Sequence, residues 1–346
     1  MKKTATYKSA GVDIAAGTES VKLIKQKVKS TFDKSVLSNI GTFGAMYGMK
    51  EILKKYKDPV LVQSIDSVGT KLKIATMMDK HDTIGEDMVS HSCGDILCQG
   101  AKPLTFLDYI AIDKVKPKQI NEIVGGMVKG CREAGVSLIG GEIAELPGIY
   151  QGNEYDLVGS ILGVVEKDKI INGSKIKSGN VLLGLPSSGL HTNGYSLARH
   201  IFFKANKYKV TDKLKGLKKS LGATLLTPHK NYTKTVYPLL DKFKINGIAH
   251  ITGGGLIDNI SRILPNGAAV EIKEGTWPIL PIFTLMQELG NVPWSDMHKT
   301  FNLGIGMVLI VEKKDAEKIK QQIVKSKEKV YEIGEVVGGN GRVTII

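Results

Sequence analysis

Short apolar runs alternate with longer amphipathic stretches over most of this chain. In the first half, the pattern predicts strands at 60–62, 104–112 and 136–139 and helices at 18–31, 84–99 and 117–134. In the second half, it predicts strands near 181–185, 268–272, 303–311, 329–337 and 341–345 and helices near 228–242, 256–264, 281–289 and 313–326. Alternation of this kind is typical of the α/β and α+β fold classes.

The chain is long enough for two domains. It has 346 residues, which is more than one hydrophobic core usually serves. A polar, glycine-containing run at 166–180 interrupts the pattern and is typical of a linker. We therefore predict an N-terminal domain of residues 1–168 and a C-terminal α+β domain of residues 169–346.

The composition is that of an ordinary soluble protein. Hydrophobic residues make up 42% of the chain and charged residues 24%, and the longest apolar runs are far shorter than the ~20 residues that span a bilayer. We therefore expect a cytoplasmic protein. The three cysteines are an odd number without a CxxC pair, so the sequence predicts neither a disulfide framework nor a zinc knuckle.

The formal net charge of +14 leaves two kinds of anionic partner open. Strongly basic chains often bind nucleic acid, but here the lysines are dispersed and aromatic residues do not interleave with them. A generally positive field also attracts small polyanions. We expect small anionic ligands, and a basic RNA-binding protein without catalysis is the alternative.

The stretch 64–72 is the first candidate for chemistry. It places Asp66, Gly69 and Lys71 at the end of an apolar strand, where α/β proteins position the groups that meet a ligand. The stretch is not a P-loop, because Thr70 precedes the lysine instead of following it. A turn with a solvated lysine is the simpler interpretation, so a functional one depends on neighbouring motifs.

Four carboxylates lie at or near the ends of separate apolar elements in the first half of the chain. They belong to Asp66, Asp95, Asp108 and Glu142. Hard oxygen ligands without histidine or cysteine suit Mg²⁺, which proteins hold through a few carboxylates and the phosphates of a substrate. Beside the Gly-Thr-Lys turn, these acids predict a nucleotide site.

The predicted helix at 84–99 carries a polar stripe. Asp87, His91 and Asp95 are spaced i, i+4 and i+8, which stacks their side chains on one face. A solvated face is the simplest interpretation of that stripe. Gly94, however, lies inside the helix, where glycine costs ~1 kcal/mol relative to alanine, so we expect another group to approach the helix there.

Three glycine-containing loops offer binding positions for anions. Gly41 and Gly44 would let backbone N–H groups approach a phosphate closely. The run at 186–195 and the glycines at 253–255 each precede a predicted helix, whose N-terminus favours anions. Each loop would also suit an ordinary turn or a capped helix.

Six motifs together make the chain similar to the phosphoribosylformylglycinamidine cyclo-ligase family, also called aminoimidazole ribonucleotide synthetases. The motifs are AGVDI at 10–14, DSVGTKL at 66–72, GEIAELPG at 141–148, SSGLHTNGYS at 187–196, AHITGGG at 249–255 and TFNLGIG at 300–306. The similarity runs in register from about residue 7 to the C-terminus. Two positions depart from the family pattern, since the family usually has glycine at Ser67 and asparagine at Gly94.

The resemblance implies a two-domain, PurM-like α/β fold that binds ATP without a P-loop. It also implies a homodimer in which N-terminal strands of both subunits build a shared barrel. The implied reaction is a step of purine biosynthesis, the ATP-dependent closure of the imidazole ring of formylglycinamidine ribonucleotide. The implied cofactors are ATP and Mg²⁺.

The motifs and the resemblance together assign residue roles. The expected Mg²⁺ ligands are Asp66, Asp95, Asp108 and Glu142. The expected catalytic residues are Lys71, Asp95, His191 and His250, with Lys71 neutralising phosphate charge and His250 moving a proton. The expected contacts to ATP or the ribonucleotide are Gly41, Gly44, Asp66, Gly69, Thr70, Ser188, Asn193, Thr252, Gly253, Gly254, Gly255 and Asn302.

An alternative within the same superfamily is a selenophosphate synthetase-like or thiamine-phosphate kinase-like enzyme. Such an enzyme would keep the aspartate-rich first domain. It would lack the Ser-Gly-x-His-x-Asn-Gly-Tyr run found here at 188–195.

Overall fold

The structure, a computed structural model, describes residues 5–346, so residues 1–4 of the predicted N-terminal domain lie outside the described part. Its strands form one sheet of four strands and one of six. The first sheet is built from residues 59–166 and the second from residues 180–345. Helices pack against both sheets, which confirms the predicted mixed α/β class.

The N-terminal half contains four strands and five α-helices. They are α1 (Ile14–Lys29), α2 (Lys50–Lys55), β1 (Pro59–Ser67), α3 (Lys71–Met78), α4 (Ile84–Leu97), β2 (Lys102–Ile112), α5 (Pro117–Ala134), β3 (Ser137–Glu145) and β4 (Tyr155–Glu166). The strand order is β1-β4-β2-β3. Strand β4 runs antiparallel to β1 and β2, and β3 runs parallel to β2.

One face of this sheet is covered by helices and the other is open. Phe106 and Ile110 of β2 are fully buried in the core that the sheet shares with α1, α4 and α5, and burial of each such side chain contributes roughly 1.5–3 kcal/mol. On the opposite face, the exposed fractions are 52% for Leu61, 70% for Ile65 and 42% for Leu107. The sheet therefore presents an uncovered apolar surface, here called the outer face.

The C-terminal half contains the six-stranded sheet and seven α-helices. They are β5 (Asn180–Pro186), α6 (Tyr195–Arg199), α7 (Leu221–Leu225), α8 (Thr233–Leu240), β6 (Ile245–His250), α9 (Gly255–Ser261), β7 (Ala268–Ile272), α10 (Pro281–Gly290), α11 (Trp294–Thr300), β8 (Ile305–Glu312), α12 (Lys313–Lys325), β9 (Tyr331–Gly338) and β10 (Val343–Ile345). The strand order is β10-β7-β9-β5-β8-β6. A π-helical turn, His200–Ala205, follows α6 directly.

Helices cover both faces of the second sheet. Helices α8 and α12 share a core with one face, and α9 shares a core with the other. Side chains of α6, the π-helical turn and α10 pack instead into the core of the N-terminal half. They include Tyr195, Phe202 and Phe283. The two halves are therefore packed together through a continuous apolar cluster, which fixes the cleft between them.

Several element bounds differ from the sequence prediction. The first helix begins at Ile14, four residues before the predicted start at 18, because the Asp13 side chain accepts hydrogen bonds from the Ala15 and Ala16 N–H groups. Strand β1 continues to Ser67, so the first part of the 64–72 stretch is strand. The prediction at 228–242 is too long, since α8 covers only Thr233–Leu240.

Strand β4 is absent from the prediction. Its sequence, YDLVGSILGVVE, contains two glycines that weaken the strand signal. Gly159 is nevertheless required, because a Cβ there would lie 2.2 Å from the Phe106 ring. One of the two inner strands of the N-terminal sheet thus has a weak sequence pattern because packing requires a glycine in it.

Candidate active site

The structure divides the four predicted metal carboxylates between two cavities. Asp66 and Asp95 line a cleft of about 650 Å³ between the two halves, here called the interdomain cleft. Asp108 and Glu142 line a separate cavity of about 660 Å³ under the loop at 39–45, here called the glycine-loop cavity. The single four-carboxylate cluster expected from the sequence is therefore not formed.

The interdomain cleft gathers polar groups from both halves. Strand β1 supplies Asp66 and helix α4 supplies Asp95, while the second half supplies Asn193, His250 and Thr252. The predicted residue Gly253 also lines this cleft, next to Arg262, an exposed residue that the sequence analysis did not select. The guanidinium group of an arginine suits a phosphate, so the cleft offers a cationic side chain as well as carboxylates.

Histidines surround the two carboxylates of the cleft. Nδ1 of His250 lies 2.7 Å from Oδ1 of Asp95. Nε2 of His91 lies 3.4 Å from Oδ2 of Asp66 and 3.8 Å from Oδ2 of Asp95. The cleft therefore places imidazoles beside the carboxylates, which the predicted set of oxygen ligands did not include, because α4 turns His91 and Asp95 toward the same point.

These contacts shift the acidities of the two carboxyl groups in opposite directions. Burial, together with the adjacent Asp95 carboxylate, raises the pKa of Asp66 to about 7. Burial would also raise the pKa of Asp95, but the hydrogen bond and the charge of His250 outweigh it and hold that pKa below its usual value. Asp95 is thus the carboxylate that stays ionised, and Asp66 is the one that readily takes a proton.

Two further residues support the histidines from behind. Nδ1 of His91 is hydrogen-bonded to the Thr192 hydroxyl at 2.8 Å. Nε2 of His250 lies 3.0 Å from Nε2 of His229, and His229 stacks on His191 with ring centroids 3.9 Å apart. His91 belongs to the predicted polar stripe of α4, whereas Thr192 and His229 have no local signal, since only the fold brings their distant segments to it.

Gly94 is required for this arrangement. A Cβ at this position would lie 2.6 Å from Cε1 of His250. The prediction that another group approaches the helix at Gly94 is therefore confirmed, and the group is the His250 ring from the second half of the chain. A side chain at position 94 would push that ring away from Asp95.

The glycine-loop cavity has a different chemical character. Apolar residues of α1, α5 and β3 form much of its wall, and the predicted residues Gly41 and Gly44 lie in the loop above it. Asp108 is partly buried there, and burial and the nearby Glu142 raise its pKa to about 7. Such a cavity suits a flat, largely apolar group with a few hydrogen-bond donors.

Lys71 is placed where it does not reach a phosphate. The side chain is fully buried, and Nζ donates to Oδ1 of Asp87 at 2.8 Å and to the backbone oxygens of His191 and Thr227 at 3.1 and 2.8 Å. These three acceptors use all three donors of the ammonium group. The expected phosphate contact is therefore corrected: Lys71 ties α3 to α4 and to two loops of the second half.

Two other predicted residues are also occupied inside the protein. Asn302 accepts from the Ser187 hydroxyl and the Gly304 N–H and donates to the Gly189 carbonyl oxygen. His191 is fully buried, and its Nε2 accepts from the Ser188 N–H at 3.2 Å. These contacts shape the loop at 187–193 and leave neither side chain facing the cleft.

The remaining predicted residues lie at the interface between the two halves, in the loop at 187–193 or at the start of α9. Thr70 is exposed, follows Gly69, and its hydroxyl lies 3.2 Å from that of Ser196. The Ser188 hydroxyl donates to the Pro228 carbonyl oxygen. Gly254 is the N-cap of α9, and Gly255 begins this helix without space for a Cβ.

No helix within residues 5–346 has both the length and the apolar character needed to cross a membrane.

Comparison with known proteins identifies the family. The family described as AIR synthase related protein, N-terminal domain, matches residues 48–165, and the corresponding C-terminal domain matches residues 177–346. The phosphoribosylformylglycinamidine cyclo-ligase of Acetivibrio thermocellus is 53% identical, over 96% of this chain and 97% of the relative. That of Alkaliphilus oremlandii is 50% identical, over 98% and 99%.

Solved structures with low sequence identity share the fold. Thiamine-monophosphate kinase from Stenotrophomonas maltophilia has a TM-score of 0.70 at 15% identity, covering 93% of this chain and 95% of the kinase. The hydrogenase maturation protein HypE in complex with ATP has a TM-score of 0.62 at 15% identity, covering 97% and 92%. The resemblance inferred from the six motifs is confirmed, and the chain belongs to the phosphoribosylformylglycinamidine cyclo-ligase family.

Proposed function

We propose that the protein closes the imidazole ring of formylglycinamidine ribonucleotide, with ATP as phosphoryl donor and ADP and phosphate as by-products. The observation that carries the proposal is the interdomain cleft, in which Asp66, Asp95 and His250 line the same cavity as Asn193, Gly253 and Arg262. Relatives named as cyclo-ligases are about 50% identical to this chain over nearly its whole length. The product, 5-aminoimidazole ribonucleotide, belongs to purine biosynthesis.

The chemistry requires activation of an oxygen. Ring closure needs an amidine nitrogen to attack the formyl carbon, whose oxygen must then leave. Phosphorylation of that oxygen turns it into phosphate, which leaves readily, and correct positioning of the nitrogen and carbon supplies much of the remaining acceleration. The protein must therefore bind two anionic molecules and move protons.

We assign ATP to the glycine-loop cavity and the adjoining N-terminal side of the interdomain cleft. The glycine-loop cavity, with its apolar wall and Asp108, would receive the adenosine, and Gly41 and Gly44 would cover it. The phosphates would point to the interdomain cleft, where Asp66 and Asp95 lie at a reachable rim with side-chain exposures of 35% and 28%. The two carboxylates suit Mg²⁺, which would neutralise phosphate charge there.

We assign the ribonucleotide to the C-terminal side of the interdomain cleft. Arg262 and the glycine turn at Gly253 would bind its phosphate, and the Asn193 amide would orient the amidine. His250 is held by Asp95 at Nδ1 and by His229 at Nε2, so a proton taken up at Asp95 would pass to this pair of imidazoles. His250 is therefore our candidate for moving the proton released by the attacking nitrogen.

We also propose that two chains form a homodimer through the outer face. Leu61, Ile65, Leu107 and Tyr109 expose 37–70% of their surfaces on this face, which is a large apolar area for a monomer to leave in water. A second copy would cover both outer faces and build the shared barrel that the family resemblance implies. We expect this dimer to work in the cytoplasm, without nucleic acid.

The proposal is tested by measuring ADP formation with and without formylglycinamidine ribonucleotide. We expect ATP turnover to depend on the ribonucleotide and to yield the aminoimidazole product in equal amount. ADP formation that responds to thiamine monophosphate instead would favour the kinase alternative. RNA binding that survives moderate salt, without ATP turnover, would favour the nucleic-acid alternative.

A further inference from the structure

Three side chains of the interdomain cleft present donor atoms to a single point. His91, Asp95 and His250 each offer one ligand atom, and these atoms all lie within 4.8 Å of one another. A first-row metal ion with bonds of about 2.1 Å holds its ligand atoms roughly 3–3.5 Å apart, so binding an ion requires these side chains to move by about 1 Å. We infer that His91, Asp95 and His250 form a binding site for a transition-metal dication, of the class of Zn²⁺, Co²⁺ and Mn²⁺.

The outward nitrogen of each imidazole has a partner. Nδ1 of His91 is bound to the Thr192 hydroxyl, and Nε2 of His250 is paired with Nε2 of His229. These bonds orient both rings so that Nε2 of His91 and Nδ1 of His250 face Asp95. Metal-binding histidines in proteins are oriented in this way by a second layer of hydrogen bonds.

The ligand set favours a transition metal over Mg²⁺. Two imidazoles and one carboxylate suit zinc, cobalt and related ions, whereas Mg²⁺ prefers oxygen ligands and retains water. Oδ2 of Asp66 lies 3.4 Å from Nε2 of His91, at the edge of this three-residue cluster. Because the site opens into a cleft of about 650 Å³, a further position remains for water or a substrate oxygen.

Gly94 makes the site possible. The His250 ring lies where a Cβ at position 94 would be, so glycine lets an imidazole from the second half reach a carboxylate on α4. An ion that enters would replace the hydrogen bond between Nδ1 of His250 and Asp95. The site shares Asp95 and His250 with the proposed function, so a bound transition metal would occupy groups assigned there to Mg²⁺ and to proton transfer. The inference itself stands without ATP or the ribonucleotide.

The test uses the full chain after removal of metals with a chelator. Co²⁺ is added, and its visible absorption and binding heat are recorded. We expect one Co²⁺ per chain, the intense absorption of a four- or five-coordinate ion, and no thiolate charge-transfer band. A tenfold excess of Mg²⁺ should leave the spectrum unchanged.

Variants identify the ligands. His91→Gln and His250→Gln should each weaken Co²⁺ binding by at least tenfold, and Thr192→Val should weaken it about tenfold through loss of orientation. His200→Gln, at an exposed histidine outside the cleft, should bind like the unaltered protein. Circular dichroism and the melting temperature without metal establish that each variant is folded.

Three results would overturn the inference. One is Co²⁺ binding that Mg²⁺ displaces, since that indicates an oxygen site. Another is unchanged affinity in folded His91→Gln and His250→Gln. The third is a thiolate band, which would assign the ion to Cys98 of the same cleft. ATP turnover is not measured, so these outcomes are independent of the proposed function.

Discussion

Asp66 and Asp108 point to the same face of the N-terminal sheet, and both are paired with Gly159. Direct partners in antiparallel strands share a face, and two strand spacings separate the backbones of the two aspartates by about 10 Å. Phe106 and Met88 fill the space over Gly159 between them. One Mg²⁺, with bonds of about 2.1 Å, therefore cannot contact both carboxylates.

The separation of Asp66 from Asp108 predicts that substitutions of these two aspartates change different kinetic parameters. Asp66→Asn should lower kcat roughly a hundredfold at saturating Mg²⁺, because it removes charge at the phosphoryl centre. Asp95→Asn should act in the same way. Near-normal kcat in both folded variants would remove these residues from the centre.

Asp108→Asn should instead raise the KM for ATP, by about tenfold, if its carboxylate accepts hydrogen bonds from the adenosine. Its kcat should change little, because the glycine-loop cavity is separate from the interdomain cleft. A large loss of kcat with an unchanged KM for ATP would place phosphoryl chemistry in this cavity and contradict the assignment.

Gly94→Ala should destabilise the protein, although alanine normally favours a helix. The new methyl group overlaps the His250 ring, and overpacking of this kind costs about 1–3 kcal/mol. Gly125→Ala is the matched control, since Gly125 lies inside α5 with open space around it, and it should stabilise by roughly 0.5–1 kcal/mol. Urea unfolding measures both, and equal effects would refute the close contact.

The outer face predicts the oligomeric state. Light scattering should give about twice the chain mass of 37.5 kDa. Ile65→Lys, which places a charge on the exposed apolar face, should shift the protein toward the monomer. Val324→Lys changes a similarly exposed residue of α12 and should leave the mass unchanged. A stable, active monomer in the unaltered protein would contradict the shared barrel.

The contribution of His81 to stability should fall as the pH decreases below neutrality. Burial lowers the pKa of His81, whose Nδ1 lies 2.8 Å from the Tyr155 hydroxyl, so the unfolded chain binds a proton there more readily than the folded one. Its contribution is present above the unfolded pKa near 6.5 and is lost as the pH falls through the folded value. Each such group adds a slope of up to about 1.4 kcal/mol per pH unit.

His81→Asn removes the titrating ring and keeps a hydrogen-bonding group beside Tyr155. Urea unfolding between pH 7 and pH 5 should show a shallower loss of stability in this variant. The same slope in both proteins would mean that His81 does not titrate on unfolding in this range.

The sequence predicts local elements well and distant contacts poorly. Helix α5 has the predicted bounds, because eighteen amphipathic residues between Pro117 and the left-handed cap Gly135 define it locally. Lys71 could not be placed in this way. Its backbone acceptors lie 120 and 156 residues further along the chain, and only the packing of the two halves shows that they surround the ammonium group.

The same limit explains the partial prediction of the site. Asp66 and Asp95 could be selected because each follows or lies in a strong local pattern. His250, at the end of β6, contacts both Asp95 of α4 and His229 of a loop in the second half. These contacts form only when the two halves pack together. The local sequence signal of the contact between His250 and α4 is Gly94, a glycine inside a helix.

The central claim is that ring closure passes through a phosphorylated formyl oxygen, and isotope transfer tests it most directly. Formylglycinamidine ribonucleotide carrying heavy oxygen in its formyl group is converted with ATP, and the inorganic phosphate and the water are analysed by mass spectrometry. The account predicts that the label appears in the phosphate, which water attack on ATP cannot produce. Unlabelled phosphate together with labelled water would show that the ring closes and loses hydroxide without phosphoryl transfer, and would contradict the roles assigned to Asp66 and Asp95.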